Sequence, residues 1–243
     1  MKTVFQLDML PQPDDTTCGP TCLHAVYRYF DDPLPLRQVI EEVHVLEGGG
    51  TLEVLLACHA LRRGYRATIY TYNLQIFDPT WFAPGAKVDL AAKLKAQMAV
   101  KEKPKLAVAT EAYLEYLRLG GEIRFQDLSG RLLRKYLKQE TPILCGLSAT
   151  YLYHCAREHH PDPNQPTMQY NDVKGTPTGH FVVLCGYDME TRQVLVADPA
   201  HQNPLGGDKQ HYSVSIDRLL GAIMLGIMTY DGNLLILKKG QKW

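Results

Sequence analysis

Apolar positions along this chain fall into blocks of different period, and the blocks predict a mixed order of helices and strands. Val4–Met9 alternates and reads as a first strand or extended arm. Leu23, Val26, Tyr27 and Phe30 then recur at helical spacing, behind the helix-capping types Asp15, Thr16 and Thr17, so a helix is expected to open at Cys18. A second helix is expected from about Pro35 to Leu46. Gly48, Gly49 and Gly50 break it, and Thr51 is expected to cap a third that ends near Gly64. Tyr65–Tyr72 alternates and is rich in strand formers. Residues 78–85, Asp-Pro-Thr-Trp-Phe-Ala-Pro-Gly, read as a loop. Two helices follow, over about 89–101 and 105–119, split by Pro104 and stopped by Gly120-Gly121. Ile123–Phe125 is a short extended piece, and Ser129 is expected to cap a helix running to about Lys138.

The second half of the chain supplies most of a sheet. Pro142–Leu147, Phe181–Tyr187 and Gln193–Ala197 are short apolar or alternating runs bounded by turn residues, and Asp188–Arg192 reads as the turn between the last two. That hairpin sets His180 at the start of one strand and Asp198 just past the end of its partner, which in an antiparallel pair brings the two ends together. Ser213–Ile216 and Gly226–Ile236 are expected to add strands around a short helix at 217–224. The fold class is α+β, in one domain over residues 1–243, with a helical insertion at about 78–120 and a loop insertion at about 154–178. The latter is polar and carries prolines at 161, 163, 166 and 177, the mark of a surface loop. Its place just before His180 also lets it border a cleft.

Composition narrows the function classes. A chain of 243 residues with 45% hydrophobic content is long enough for one good core. The formal net charge of +0 gives nucleic acid no electrostatic foothold. No apolar run reaches membrane-span length. The start, Met-Lys-Thr-Val-Phe-Gln-Leu-Asp, meets an acid too early for a secretion signal, so the six cysteines are expected as reduced thiols in a cytoplasm.

The candidate chemistry lies in three stretches. Gln12 precedes Cys18-Gly19, His180 opens Gly-His-Phe-Val-Val-Leu, and Asp198 closes Val-Ala-Asp-Pro. A thiol at a helix N-terminus has its pKa lowered by the helix dipole, and Gly19 leaves room for a substrate carbonyl. An imidazole and a group that fixes it complete a thiol nucleophile. Asp198 ends an apolar strand, where a buried carboxylate needs a donor. Asp188 is explained by its turn. His24 lies six residues along the Cys18 helix (24 − 18) and points to another face, while His44 and His59 sit in expected helices with no thiol partner. Cys22, Cys58, Cys145 and Cys185 lie among apolar residues as core thiols. Metal binding is the competing chemistry, through Cys18 with Cys22, Cys58-His59, His154-Cys155 and His159-His160. None of these shows the paired spacing of a zinc site, so no metal and no cofactor is expected.

A Gln six residues before a Cys-Gly that opens a helix (18 − 12), with Gly-His-Phe-Val-Val-Leu and an Asp-Pro 18 residues after the His (198 − 180), resembles the papain-like cysteine peptidases. Within them it is similar to the bacteriocin-processing, double-glycine-leader peptidases and their stand-alone relatives, and phytochelatin synthase has a similar Cys, His, Asp order. The resemblance covers roughly residues 10–30 and 140–200. It implies a papain-like fold with Cys18 as nucleophile, His180 as general base, Asp198 as its orienter and Gln12 as oxyanion donor. It also implies a peptide or small amide substrate processed through an acyl-enzyme. An acyltransferase on the same site, or a peptide-binding module without catalysis, are the alternatives. The chain departs from the leader peptidases in lacking a transporter and in carrying extra material before the His strand.

Overall fold

A computed structural model describes residues 2–46, 50–161 and 168–240. In chain order the elements are β1 (Lys2–Val4), α1 (Cys18–Tyr29), α2 (Leu36–Glu42), α3 (Glu53–Arg62), β2 (Tyr65–Thr71), α4 (Leu90–Val100), α5 (Pro104–Arg118), β3 (Glu122–Arg124), α6 (Gly130–Leu137), β4 (Ile143–Ser148), α7 (Ala149–Tyr153), β5 (Glu158–His159), β6 (Gln169–Tyr170), β7 (Gly179–Asp188), β8 (Gln193–Ala197), β9 (His211–Ser215), α8 (Ile216–Leu225) and β10 (Asn233–Lys239). Short 3₁₀ turns occupy Pro79–Phe82 and Gly226–Thr229.

Among the described residues, eight strands form one sheet in the order β3-β2-β10-β4-β7-β8-β9, with β1 paired to β7. Every pairing is antiparallel except that of β2 with β3. β4 pairs with residues 179–184 of β7 and β1 with residues 186–188, so the N-terminus extends the edge that β4 leaves. Helix α1 packs on β7, α3 on β2 and β10, and α8 on β4. The middle strands are buried along most of their length, which is why Ile143–Leu147 and Phe181–Leu184 read as continuous apolar runs.

Local chemistry explains most of the boundaries. Asp89 caps α4 by accepting from the Ala92 N–H at 3.0 Å, and Ser129 caps α6 through the Leu132 N–H at 3.3 Å. Pro104 stands at the first turn of α5, where its missing N–H costs nothing. Gly64 takes φ +84° to turn the chain from α3 into β2.

Three expectations need correction, one resolves between its two readings, and one falls largely outside the described residues. β1 stops at Val4, and residues 5–9 continue as an extended arm that buries Phe5, Leu7 and Met9 alternately. Helix α2 ends at Glu42, because Val43 is already extended, so His44 lies outside it and is exposed. Of the expected breakers, Gly48 and Gly49 lie outside the described residues, while Gly50 takes φ +72°. Thr51 does not cap α3: its hydroxyl donates to the His44 carbonyl at 3.0 Å, and Leu52 holds the cap position without a side-chain bond. The Asp231 carboxyl, from far along the chain, takes the Glu53 N–H instead. Finally, Gly226–Thr229 is a 3₁₀ turn, closed by Tyr230 at φ +71°, and the strand begins only at Asn233.

Glu53 and Asp231 are both buried under this junction. Burial, with the nearby Asp231 charge second, holds the Glu53 carboxyl well above the usual carboxylate range. Burial raises Asp231 to about 7, against the pull of the Glu53 N–H and of Lys105.

Candidate active site

Cys18 is the first residue of α1 and is buried at its N-terminus. The residues before it do not cap the helix as their types suggested. The Thr17 hydroxyl donates to the Asp14 carbonyl at 3.1 Å, and Asp14 Oδ1 accepts from the Thr16 N–H and hydroxyl at 2.8 and 2.7 Å. These bonds close a tight turn ahead of the helix and leave its N-terminus without a side-chain cap. Of the first three helical residues, Pro20 has no N–H, so Cys18 and Gly19 supply the backbone donors there. A Cβ on Gly19 would meet Thr51 Cγ2 at 2.7 Å and Phe181 Cδ2 at 3.2 Å, which shows how closely α1 is seated on β7.

The β7–β8 hairpin delivers the other two side chains as its turn chemistry predicts. Asp188 Oδ1 accepts from the Glu190 and Thr191 N–H groups, and Val183 pairs with Ala197. Asp198, the next residue, falls diagonally opposite His180 on the same face. His180 Nε2 donates to Asp198 Oδ1 at 2.9 Å. The ring therefore presents Nδ1 to Cys18, whose side chain hydrogen-bonds it. Burial disfavours charge on His180, but the Asp198 carboxylate, its hydrogen bond and the Cys18 side chain together raise the imidazole to about 10. Burial works equally against ionised Asp198, yet the attraction of His180 and the hydrogen bonds from His180, Tyr212 and Ala200 leave its carboxyl below the usual range.

Two residues at this site escaped the sequence reading. The Tyr153 hydroxyl, at the end of α7, donates to Asp198 Oδ2 at 2.8 Å, and the Tyr212 hydroxyl, on β9, donates to the same atom at 2.7 Å. A tyrosine closing a five-residue helix, or one at an inward strand position, carries no local signal of such a partner.

Gln12 is half-buried in the loop before Cys18, and its backbone N–H donates to the Pro199 carbonyl at 2.7 Å. Its side-chain N–H donates to the Asp14 carbonyl at 2.8 Å, so the amide lies along its own loop with one N–H still free to donate. The other candidate histidines are used elsewhere. His59 accepts or donates at both ring nitrogens, to Tyr27 at 2.8 Å and Glu42 at 2.9 Å, and ties α3 to α1 and α2. His24 is buried on α1, where burial and then Arg28 lower its pKa. Cys22, one turn after Cys18, donates its thiol to the Phe181 carbonyl at 3.2 Å. Burial first, then the charges of Cys18 and Asp198, push that thiol well up. Cys58, Cys145 and Cys185 are buried core thiols as expected. Among the described residues, no three His, Cys, Asp or Glu side chains converge as metal ligands.

The 154–178 segment is more ordered than a plain loop at its described ends. β5 pairs with β6, Glu158 and Thr176 exchange backbone hydrogen bonds, and the Ala149 N–H donates to the Thr178 carbonyl at 2.9 Å. Tyr170 on β6 lies near enough to Asp15 for that charge to add to burial, Cys155 and Glu158 in raising its hydroxyl pKa. Helices α4 and α5, from the other expected insertion, pack instead on one another, and α5 packs on α3.

The α+β architecture, with a helix-borne cysteine set against a sheet-borne histidine, is the papain-like cysteine peptidase fold. The chain belongs to the Peptidase_C39 like family, whose profile matches residues 2–215. Among solved structures it is similar to a putative C39-like peptidase from Bacillus anthracis, at 14% identity over 99% of this chain and 100% of that one, with a TM-score of 0.50. It also matches the peptidase domain of Streptococcus ComA, at 13% identity over 97% and 100% with a TM-score of 0.45. A third match is xylellain, a cysteine protease from Xylella fastidiosa, at 15% identity over 99% and 86% with a TM-score of 0.41. A search of the curated proteins finds no match. Among the described residues, no helix is long and apolar enough to cross a membrane.

Proposed function

We propose that this cysteine peptidase cleaves a peptide or small amide through a Cys18-His180-Asp198 triad, with Gln12 and the Cys18 N–H as oxyanion donors. The observation that carries the reading is the His180 ring itself. One nitrogen is held by Asp198 at 2.9 Å and the other faces a thiol at an uncapped helix N-terminus. Cys18 gives its thiol proton to His180 and its sulfur attacks the carbonyl carbon, and the oxyanion that forms is met by the Cys18 N–H and the free N–H of Gln12. The C–N bond breaks as His180 gives its proton to the leaving amine, and a thioester remains on Cys18. Water then attacks the thioester, His180 takes its proton, and the acid leaves with Cys18 restored.

In this reading residues 1–243 form one domain. The described part of the 154–178 segment, with β5 and β6, borders the cleft and restricts what enters, as its direct passage into β7 and His180 supports. The free cysteines fit work in a reducing cytoplasm.

The test is mass spectrometry of the intact protein with a peptide carrying an activated ester. A transient acyl adduct on Cys18, absent in Cys18→Ala and lost to water, is the expected result. An adduct that stays until an amine is added would make the enzyme an acyltransferase, and no adduct at all would end the nucleophile assignment.

A further inference from the structure

The Asp198 carboxylate is fully buried and its lone pairs are all used. Oδ1 accepts from His180 Nε2 and from the Ala200 N–H, both at 2.9 Å. Oδ2 accepts from the Tyr153 hydroxyl at 2.8 Å and the Tyr212 hydroxyl at 2.7 Å. An ionised carboxylate offers about four acceptor sites, and here four donors fill them. As they stand all four groups donate to it, so a proton placed on Asp198 would force one of them to give up its donation and turn acceptor. Both tyrosines keep their own protons, since burial first and the Asp198 charge second raise each hydroxyl far above its ordinary value.

The donors come from four separate parts of the chain: β7, the residues after β8, the end of α7, and β9. Tyr212 is buried within the sheet, whereas Tyr153 is half-buried and lays its ring beside His180, with centroids 6.1 Å apart. One phenol therefore meets the carboxylate from within the buried sheet, and the other from a half-buried position beside the imidazole.

Their consequence follows from charge. A buried carboxylate beside an imidazole strengthens the imidazole's hold on its proton. Left unopposed, that hold works against catalysis, because an acid that must protonate a leaving amine needs a pKa near the working pH. Hydroxyls that donate to the free carboxylate oxygen stabilise the pair most when its net charge is negative, that is, after the imidazolium proton has gone. They also fix the carboxylate plane, so that Oδ1 alone faces the ring.

We propose that Tyr153 and Tyr212 are positioning residues that hold Asp198 as an oriented anion and lower the proton affinity of the His180–Asp198 pair. The proposal rests on the triad reading above. Removing either hydroxyl leaves the negative pair less stabilised, so both protonation steps, the carboxyl's and the imidazole's, move to higher pH.

The experiment is an NMR titration of the full chain labelled with ¹⁵N-histidine, in a Cys18→Ala background so that the thiol does not titrate with the ring. The His180 signals are assigned by their loss in His180→Gln. Tyr153→Phe and Tyr212→Phe each keep the ring and lose one hydroxyl. Each is expected to move the His180 deprotonation upward by about one pH unit, the scale of one charge-assisted hydrogen bond, and the double variant by more. Tyr153→Ala should move it as Tyr153→Phe does and also speed exchange of the Nε2 proton with water, because the half-buried ring beside His180 is gone. An unchanged or lowered titration in both single variants, with their melting temperatures altered or not, overturns the proposal and leaves the tyrosines as packing. Failure of the triad reading is seen separately, as ordinary reactivity of Cys18 in the unsubstituted protein, whichever way the titration falls.

Discussion

The Gln12 backbone N–H reaches the Pro199 carbonyl at 2.7 Å, one residue beyond Asp198. That bond ties the loop leading to Cys18 to the hairpin that carries Asp198. Elements distant in sequence are thereby held at a fixed separation, which a three-group reaction requires.

Because the tie uses backbone, the Gln12 side chain is free for another task, and the two are separable by mutation. Gln12→Ala should lower kcat by roughly a hundredfold, the usual cost of losing an oxyanion donor, with little change in melting temperature. In the free enzyme the amide rests on the Asp14 carbonyl at 2.8 Å, so substrate must recruit its remaining N–H. Steady-state kinetics of the variant decide the matter: a change confined to KM would make Gln12 a binding residue and not an oxyanion donor.

Cys18 should react first with iodoacetamide at neutral pH. Burial holds the Cys22 and Cys145 thiols well up, Cys58 at about 11 and Cys185 at about 12, so these four are protonated and shielded. Cys155 is partly exposed, but burial raises its thiol too, and it should follow second. Peptide mapping after brief alkylation gives the order, and equal labelling of Cys18 and Cys155 would count against an activated nucleophile.

The sequence displayed the parts of this site that local rules govern. The strand Gln193–Ala197 and its turn were legible because Asp188 and Arg192 are turn residues, and the hairpin then had to bring His180 to Asp198. Cys18 was legible as a helix start from the spacing of Leu23, Val26 and Tyr27, although the Asp and Thr side chains before it serve the turn and not the cap. What tertiary contact decides was hidden. Thr51 stands where a cap belongs, yet it bonds His44, and Asp231 takes the Glu53 N–H from across the sheet. Glu53, an acid in the first turn of α3, is fully buried. Tyr153 and Tyr212 find Asp198 only once α7, β8 and β9 have packed.

Gly19 should tolerate no side chain unless Thr51 yields. An alanine Cβ would lie 2.7 Å from Thr51 Cγ2 and 3.2 Å from both Leu56 Cδ1 and Phe181 Cδ2. Gly19→Ala should therefore cost about 1–3 kcal/mol in unfolding free energy, the range for overpacking, and slow Cys18 alkylation by displacing the start of α1. Thr51→Ser removes the closest methyl and keeps the hydroxyl on His44, so the double variant should recover part of both losses. A double variant no better than Gly19→Ala alone would show that the Leu56 and Phe181 contacts dominate.

The buried acids predict a pH dependence of stability with a definite sign. Burial raises Asp231 from 3.8 to about 7 in the folded protein. A carboxyl with a raised folded pKa keeps its proton where the unfolded chain has lost it, so folding is favoured least once the pH exceeds the folded value. Stability should therefore fall as the pH rises from about 4 to about 7, and level off above that, as far as Asp231 is concerned. Asp231→Asn keeps the shape and an acceptor for the Glu53 N–H but cannot ionise. It should match the parent protein near pH 4 and exceed it near pH 8 by up to a few kcal/mol, on the scale of about 1.4 kcal/mol per pKa unit. Urea unfolding of the two proteins at both pH values gives the difference directly: the contribution of His180 is common to both, and loss of the Asp231 charge also eases ionisation of Glu53, which adds to the gain at high pH. A loss of stability in the variant that is equal at the two pH values would mean that Asp231 matters as a helix cap and that its ionisation costs the fold nothing.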